Sequence, residues 1–104
     1  MDDSIIRDSV ERLLHAAPGS RVIVFGSQAR GDARADSDID FLVIEPSVGD
    51  RQGEMTRLAR LLGERLVPAD VIVLSQESFD RWRDVPNTLA WHAWREGVIY
   101  DRAA

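Results

Sequence analysis

The 104 residues are enough for one buried core and too few for two, and 44% apolar against 30% charged residues is the balance of a folded globular chain. Thirteen basic against eighteen acidic residues leave a net charge of −5, which argues against a chain built to wrap nucleic acid. There is no cysteine, so disulfides and thiolate metal sites are excluded, and neither a secretory leader nor a membrane-spanning apolar stretch is visible. A single cytoplasmic domain over residues 1–104 is the expectation.

Taken in order, Ile6, Val10, Leu13, Leu14 and Ala17 recur at helical spacing, with Ser4 or Asp3 placed to cap the start and Pro18-Gly19 to stop it. Arg21 to Phe25 is a short run rich in Val and Ile, the mark of a buried strand. Gly26-Ser27 turns the chain, Gln28 to Arg30 has room for one helical turn, and Gly31 to Ser37 is small and polar, a loop. Asp38 to Glu45 is the second strand. Met55, Leu58, Ala59, Leu62 and Leu66 predict another amphipathic helix, with Arg57, Arg60, Glu64 and Arg65 on its outer face and Pro68 at its end. Asp70 to Leu74 is the third strand. Ser75 opens a short helix through Arg83, and Pro86-Asn87 breaks it. Thr88 to Glu96 is a last helix closed by Gly97, and Val98 to Tyr100 is a terminal strand. The order α-β-β-α-β-α-α-β is that of an α/β (α+β) domain, a single mixed sheet of about four strands with helices packed on it.

Side chains alternate along a strand, so Asp38 and Asp40 share a face while Ile39 turns into the core. Carboxylates so placed converge on one cation. Mg²⁺ suits them, because it takes hard oxygen ligands and is commonly held by one or two carboxylates plus substrate phosphates. The link from Phe25 to Asp38 is too short for a crossover helix, so the flanking strands pair antiparallel and bring Gly26-Ser27 beside the two acids. Gly26 permits close approach of backbone to a ligand, and the amides opening the turn after Ser27 can donate to a phosphate. Asp70 opens a strand reached through a helix; such a crossover returns parallel, so Asp70 arrives at the same sheet end. Each aspartate alone reads as an ordinary turn residue. Together, at one sheet end and beside Gly-Ser, they are what two-metal phosphoryl transfer needs.

Gly26-Ser27, ten further residues, then Asp38-Ile39-Asp40 resembles the signature of the DNA polymerase β-like nucleotidyltransferase superfamily. The fuller string G-S-Q-A-R-G-D-A-R-A-D-S-D-I-D is similar to that of its minimal (MNT) members, which pair with HEPN proteins in toxin–antitoxin modules. The resemblance extends over nearly the whole chain and implies the polymerase-β-like fold. It implies Asp38, Asp40 and Asp70 as metal ligands, with Asp70 also orienting or deprotonating the attacking hydroxyl. Gly26 and Ser27 would hold the β- and γ-phosphates, assisted by Arg30. The donor it implies is ATP or another NTP. The cofactor is Mg²⁺, as two ions, with Mn²⁺ a substitute. An acceptor hydroxyl attacks the α-phosphate and pyrophosphate leaves. In the antitoxin members that acceptor is a tyrosine of the HEPN toxin, so a hetero-oligomer or a homodimer is implied.

Two other functions use the same residues. One is a non-catalytic antitoxin that acts by binding its partner, although a pure binder has no need of Gly-Ser and all three acids together. The other is an aminoglycoside-type adenylyltransferase, although such enzymes usually add a helical domain for which 104 residues leave no room. All thirteen cations are Arg, which suits bidentate phosphate contact but is better read as an Arg-rich composition. His15 and His92 read as surface histidines, and without a His/Cys cluster zinc and nucleophile-triad chemistry are unsupported. Walker and dinucleotide glycine motifs are absent. Trp82, Trp91 and Trp94 crowd the last quarter, and at least one is expected in the core and others on a partner surface.

Overall fold

The computed structural model describes residues 3–31 and 38–101. Its elements are α1 (Asp3–Ala16), β1 (Arg21–Phe25), α2 (Ser27–Arg30), β2 (Ile39–Glu45), α3 (Arg51–Gly63), β3 (Ala69–Ser75), α4 (Gln76–Trp82), α5 (Leu89–Glu96) and β4 (Val98–Asp101). From 32 to 37 the expected loop lies outside the described residues. Among the described residues, three helices start on a side-chain cap: Asp50 accepts from Gly53 N–H, Ser75 from Ser78 N–H and Thr88 from Trp91 N–H. Each cap satisfies an amide that the helix leaves without an internal partner.

The strands form one four-stranded sheet in the order β3-β2-β1-β4. β1 pairs antiparallel with β2 and β4, while β2 and β3 are parallel, joined by the crossover helix that such a pair requires. The two-residue period sorts the side chains. Val22, Val24, Phe41, Val43 and Val73 meet α1 and α3 through residues such as Leu13 and Leu58. Ile23, Leu42 and Ile44 meet the other layer, Phe79 of α4 and Ala90 and Ala93 of α5. Both faces of β2 are therefore covered, which is why Phe41 to Ile44 is apolar without interruption. Phe41 is fully buried, and its truncation to Ala costs about 3–5 kcal/mol.

Several expectations need correction. α3 ends at Gly63 rather than near Pro68, and Leu66 is not on its buried stripe; it stands 91% exposed with φ 58°. Backbone capping is the reason. Leu66 N–H donates to Gly63 O and Val67 N–H to Leu62 O, so Leu66 occupies the reversal position that usually falls to glycine. Ala59, from the same predicted stripe, is also exposed. Arg57 is on the outer face as expected, and from there it clamps Glu54 with two hydrogen bonds and donates to Ala16 O, tying α3 to α1. Asp3 and Ser4 lie inside the first turn of α1, not ahead of it. No tryptophan is fully buried, because Ala90 and Ala93 make the contact of α5 with the sheet; Trp82 and Trp94 are exposed and Trp91 is half-buried.

Candidate active site

Phe25, the last residue of β1, stands opposite Asp40 in the antiparallel register. Gly26 follows with φ 76° and ψ −151°, a backbone conformation essentially confined to glycine, and there the chain turns from strand into α2. A Cβ at this position would collide with the Asp40 carboxylate, so the missing side chain is what lets the backbone lie against that acid. Arg30 N–H donates to Gly26 O at 3.0 Å and completes the single turn.

On the other flank, Asp70 is the direct partner of Asp40 in the parallel register of β2 and β3. Both alternate onto the face that carries Leu42 and Ile72, toward α4 and α5. Asp38 sits exposed one residue ahead of β2, not within the strand as the sequence suggested. Ile39 N–H donates to Pro68 O at 2.9 Å and fastens the two strand openings together. Gly26, Asp40 and Asp70 therefore form a row across one end of the sheet. Burial pushes the Asp40 carboxyl above its ordinary range, the charges of Asp70 and Asp38 push it further, and Arg30 opposes them. Glu96 adds a weaker push in the same direction as the aspartates.

Glu96 is the charged neighbour that sequence reading passed over. It ends α5 and binds the Arg30 guanidinium at 3.1 Å across 66 positions of chain. No motif marks it. The available signal was a carboxylate in the last turn of a helix, where the helix dipole disfavours negative charge. Beside Asp40 and Asp70 opens a cleft of about 550 Å³, walled by Phe25, Met55, Ile72 and Leu89 among others. Asp40 thus separates the glycine turn from the cleft. His15 and His92 take no part; both are exposed, and His92 meets the Trp91 ring edge-on.

The sequence model of the nucleotidyltransferase domain matches residues 4–92 of the chain. The chain belongs to this family. No curated protein matches it. Among solved structures, this nucleotidyltransferase domain is similar to a candidate nucleotidyltransferase from Sulfolobus solfataricus, with 25% identity and a TM-score of 0.64, over 93% of this chain and 77% of that one. It is also similar to a chain of a toxin–antitoxin solved with AMP-PNP, with 27% identity and a TM-score of 0.52, over 68% of this chain and 57% of that one. The mixed four-stranded sheet with its helices is the fold of these neighbours.

Nucleotidyltransferase domains generally use divalent metals. Among the described residues no group of three acidic or histidine side chains forms a ready-made metal cage. The donors on offer are the hard oxygens of Asp38, Asp40 and Asp70, and the negative charge around Asp40 is the kind a cation relieves. That set fits an ion shared with substrate phosphates, as Mg²⁺ usually is, rather than one enclosed by protein alone.

Proposed function

We propose that this nucleotidyltransferase domain transfers AMP from ATP to a hydroxyl, and that the acceptor is a tyrosine of a HEPN-family toxin for which this chain is the antitoxin. The observation that carries this reading is the row Gly26, Asp40, Asp70, with a phosphate-compatible turn on one side of the central acid and an open cleft on the other. The similarity to a toxin–antitoxin solved with AMP-PNP supports the donor and the class of partner.

On this reading Gly26 and Ser27 hold the β- and γ-phosphates through the amides that open α2, and Arg30 adds its charge there. Asp38, Asp40 and Asp70 are the ligands of Mg²⁺, for which Mn²⁺ can substitute. When bound, the metal, as two ions, neutralises charge on the phosphates and favours an ionised acceptor. The acceptor hydroxyl enters through the cleft, and the Asp70 carboxylate orients it and takes its proton. Its oxygen bonds the α-phosphorus as the bond to the bridging oxygen breaks, so AMP stays on the acceptor and pyrophosphate leaves with the electron pair. Phe25, Met55 and Leu89 give the cleft an apolar wall, which suits an aromatic acceptor better than a polyhydroxylated sugar.

Mass spectrometry of the HEPN partner after incubation with this domain, ATP and Mg²⁺ is expected to show the mass of one or more added AMP groups. Asp38→Asn and Asp40→Asn are expected to slow that gain on the order of 10³-fold without unfolding the domain. Undiminished transfer in both variants would overturn the reading. If the variants transfer nothing yet still suppress toxicity, protection comes from binding alone. The partner surface on this reading is the α4–α5 side, where Trp82, Val85 and Trp94 are exposed. Trp91→Ala and Trp94→Ala are expected to weaken the complex, and unchanged affinity in a folded protein argues against that surface.

A further inference from the structure

We infer, resting on the nucleotide reading above, that Glu96 is a positioning residue: it holds Arg30 ready for the incoming phosphates and keeps that guanidinium off Asp40. Arg30 stands one turn beyond Gly26, and both it and Glu96 lie within electrostatic reach of Asp40. Two carboxylates are thus near one cation. Glu96 accepts a hydrogen bond from it at 3.1 Å, while at Asp40 the charge of the guanidinium opposes the rise in pKa. An ion pair on Asp40 would occupy the oxygens that a metal must reach. Glu96 draws the guanidinium away without removing it from the site.

Folding stability does not account for this pair. The Arg30 and Glu96 side chains are 47% and 27% exposed, and pairs so open to water add little. Glu96 also occupies the last position of α5, where the helix dipole disfavours a carboxylate. Its position is nonetheless fixed. Gly97 packs so closely on Ile23 and the Val24 carbonyl that a Cβ there would clash, and its N–H donates to Ala93 O at 2.9 Å. The end of α5 is thereby docked on β1, the strand that leads into Gly26.

Calorimetric titration of the full chain with Mg²⁺ and AMP-PNP tests the role. Glu96→Gln is expected to weaken binding roughly three- to fivefold, the scale of one exposed ion pair. Its melting temperature is expected to stay level or rise slightly. Arg30→Ala is expected to weaken binding further, and adding Glu96→Gln to it is expected to do much less than it does in the wild type, since only the weak direct charge of Glu96 on Asp40 is then left to lose. Glu96→Asp is expected to recover part of the affinity. Wild-type affinity in Glu96→Gln, or an undiminished effect of Glu96→Gln in the Arg30→Ala background, would overturn the role and leave the nucleotide reading intact; wild-type affinity in Arg30→Ala would overturn the role and also remove Arg30 from the phosphate site. A wild-type chain that binds no AMP-PNP with Mg²⁺ would overturn both.

Discussion

Gly26 and Gly31 both have positive φ, at 76° and 80°, yet an alanine would do different things at each. At Gly26 the new Cβ meets the Asp40 carboxylate; at Gly31 it meets nothing within 4 Å. Gly26→Ala is expected to cost about 1–3 kcal/mol in backbone strain and also to displace Asp40, so that stability and nucleotidyl transfer fall together. Gly31→Ala is expected to cost about 1–2 kcal/mol of strain while leaving Asp40 where it is. Thermal melts and the transfer assay together separate the two effects. That Asp70 reaches the sheet end of Asp38 and Asp40 was legible in the sequence, because the crossover rule fixes the direction of β3; the register that sets Asp70 directly beside Asp40 was not, because direction does not fix register. Glu96 was not, because its place beside Arg30 exists only once α5 has docked on β1, and no local pattern encodes that docking.

Elements were read well where apolar spacing and caps agreed, as at Ser75 and Thr88, and less well where the backbone alone decides the end. The helix carrying Leu58 and Leu62 is the case in point. Spacing carried it on through Leu66, but the reversal at Leu66 is made by backbone hydrogen bonds that spacing does not report. Leu66→Gly is accordingly expected to stabilise the chain by about 0.5–1 kcal/mol: relief of the left-handed strain, about 1–2 kcal/mol, exceeds the added freedom of the unfolded chain. A raised urea midpoint with an unchanged slope would bear this out, and a lowered one would count against it. Glu45, at the far end of β2, gives the sheet–helix junction a pH dependence. Burial first, then hydrogen bonding to Glu54 and its charge, raises Glu45 to about 7, while the Arg57 clamp leads in lowering Glu54 to about 2. Glu45 Oε2 is buried with no hydrogen-bond partner among the described residues, which favours the neutral carboxyl over the carboxylate. A raised acid stabilises the fold below its unfolded value near 4.5 and loses that contribution as pH passes about 7. The lowered Glu54 acts oppositely, losing its contribution only as pH falls toward about 2. Glu45→Gln puts a neutral group of similar size there at every pH. Its melting temperature relative to wild type is therefore expected to rise between pH 5.5 and 8, and a constant difference would refute the raised carboxyl.

At the scale of the whole molecule, a chain with net charge −5 gathers Asp38, Asp40 and Asp70 around one end of its sheet, so the folded state works against its own field there. The sign follows from Asp40. Its carboxyl is raised by burial and then by Asp70 and Asp38, so ionising it opposes folding; that cost is absent at low pH and grows as pH rises through its folded value. At neutral pH and without metal, Asp40→Asn is expected to melt higher than wild type, because the amide carries no charge to bury or repel. Mg²⁺ with AMP-PNP is expected to reverse the order. A ligand at about 100 times its dissociation constant stabilises the state it binds by roughly 2.7 kcal/mol, and on the proposed reading only the wild-type carboxylate completes the site. Melting curves of both proteins with and without the pair of ligands give the comparison. An asparagine variant that is less stable without ligand would mean that Asp40 belongs to the scaffold. One that gains as much as wild type from Mg²⁺ and AMP-PNP would remove Asp40 from the nucleotide site.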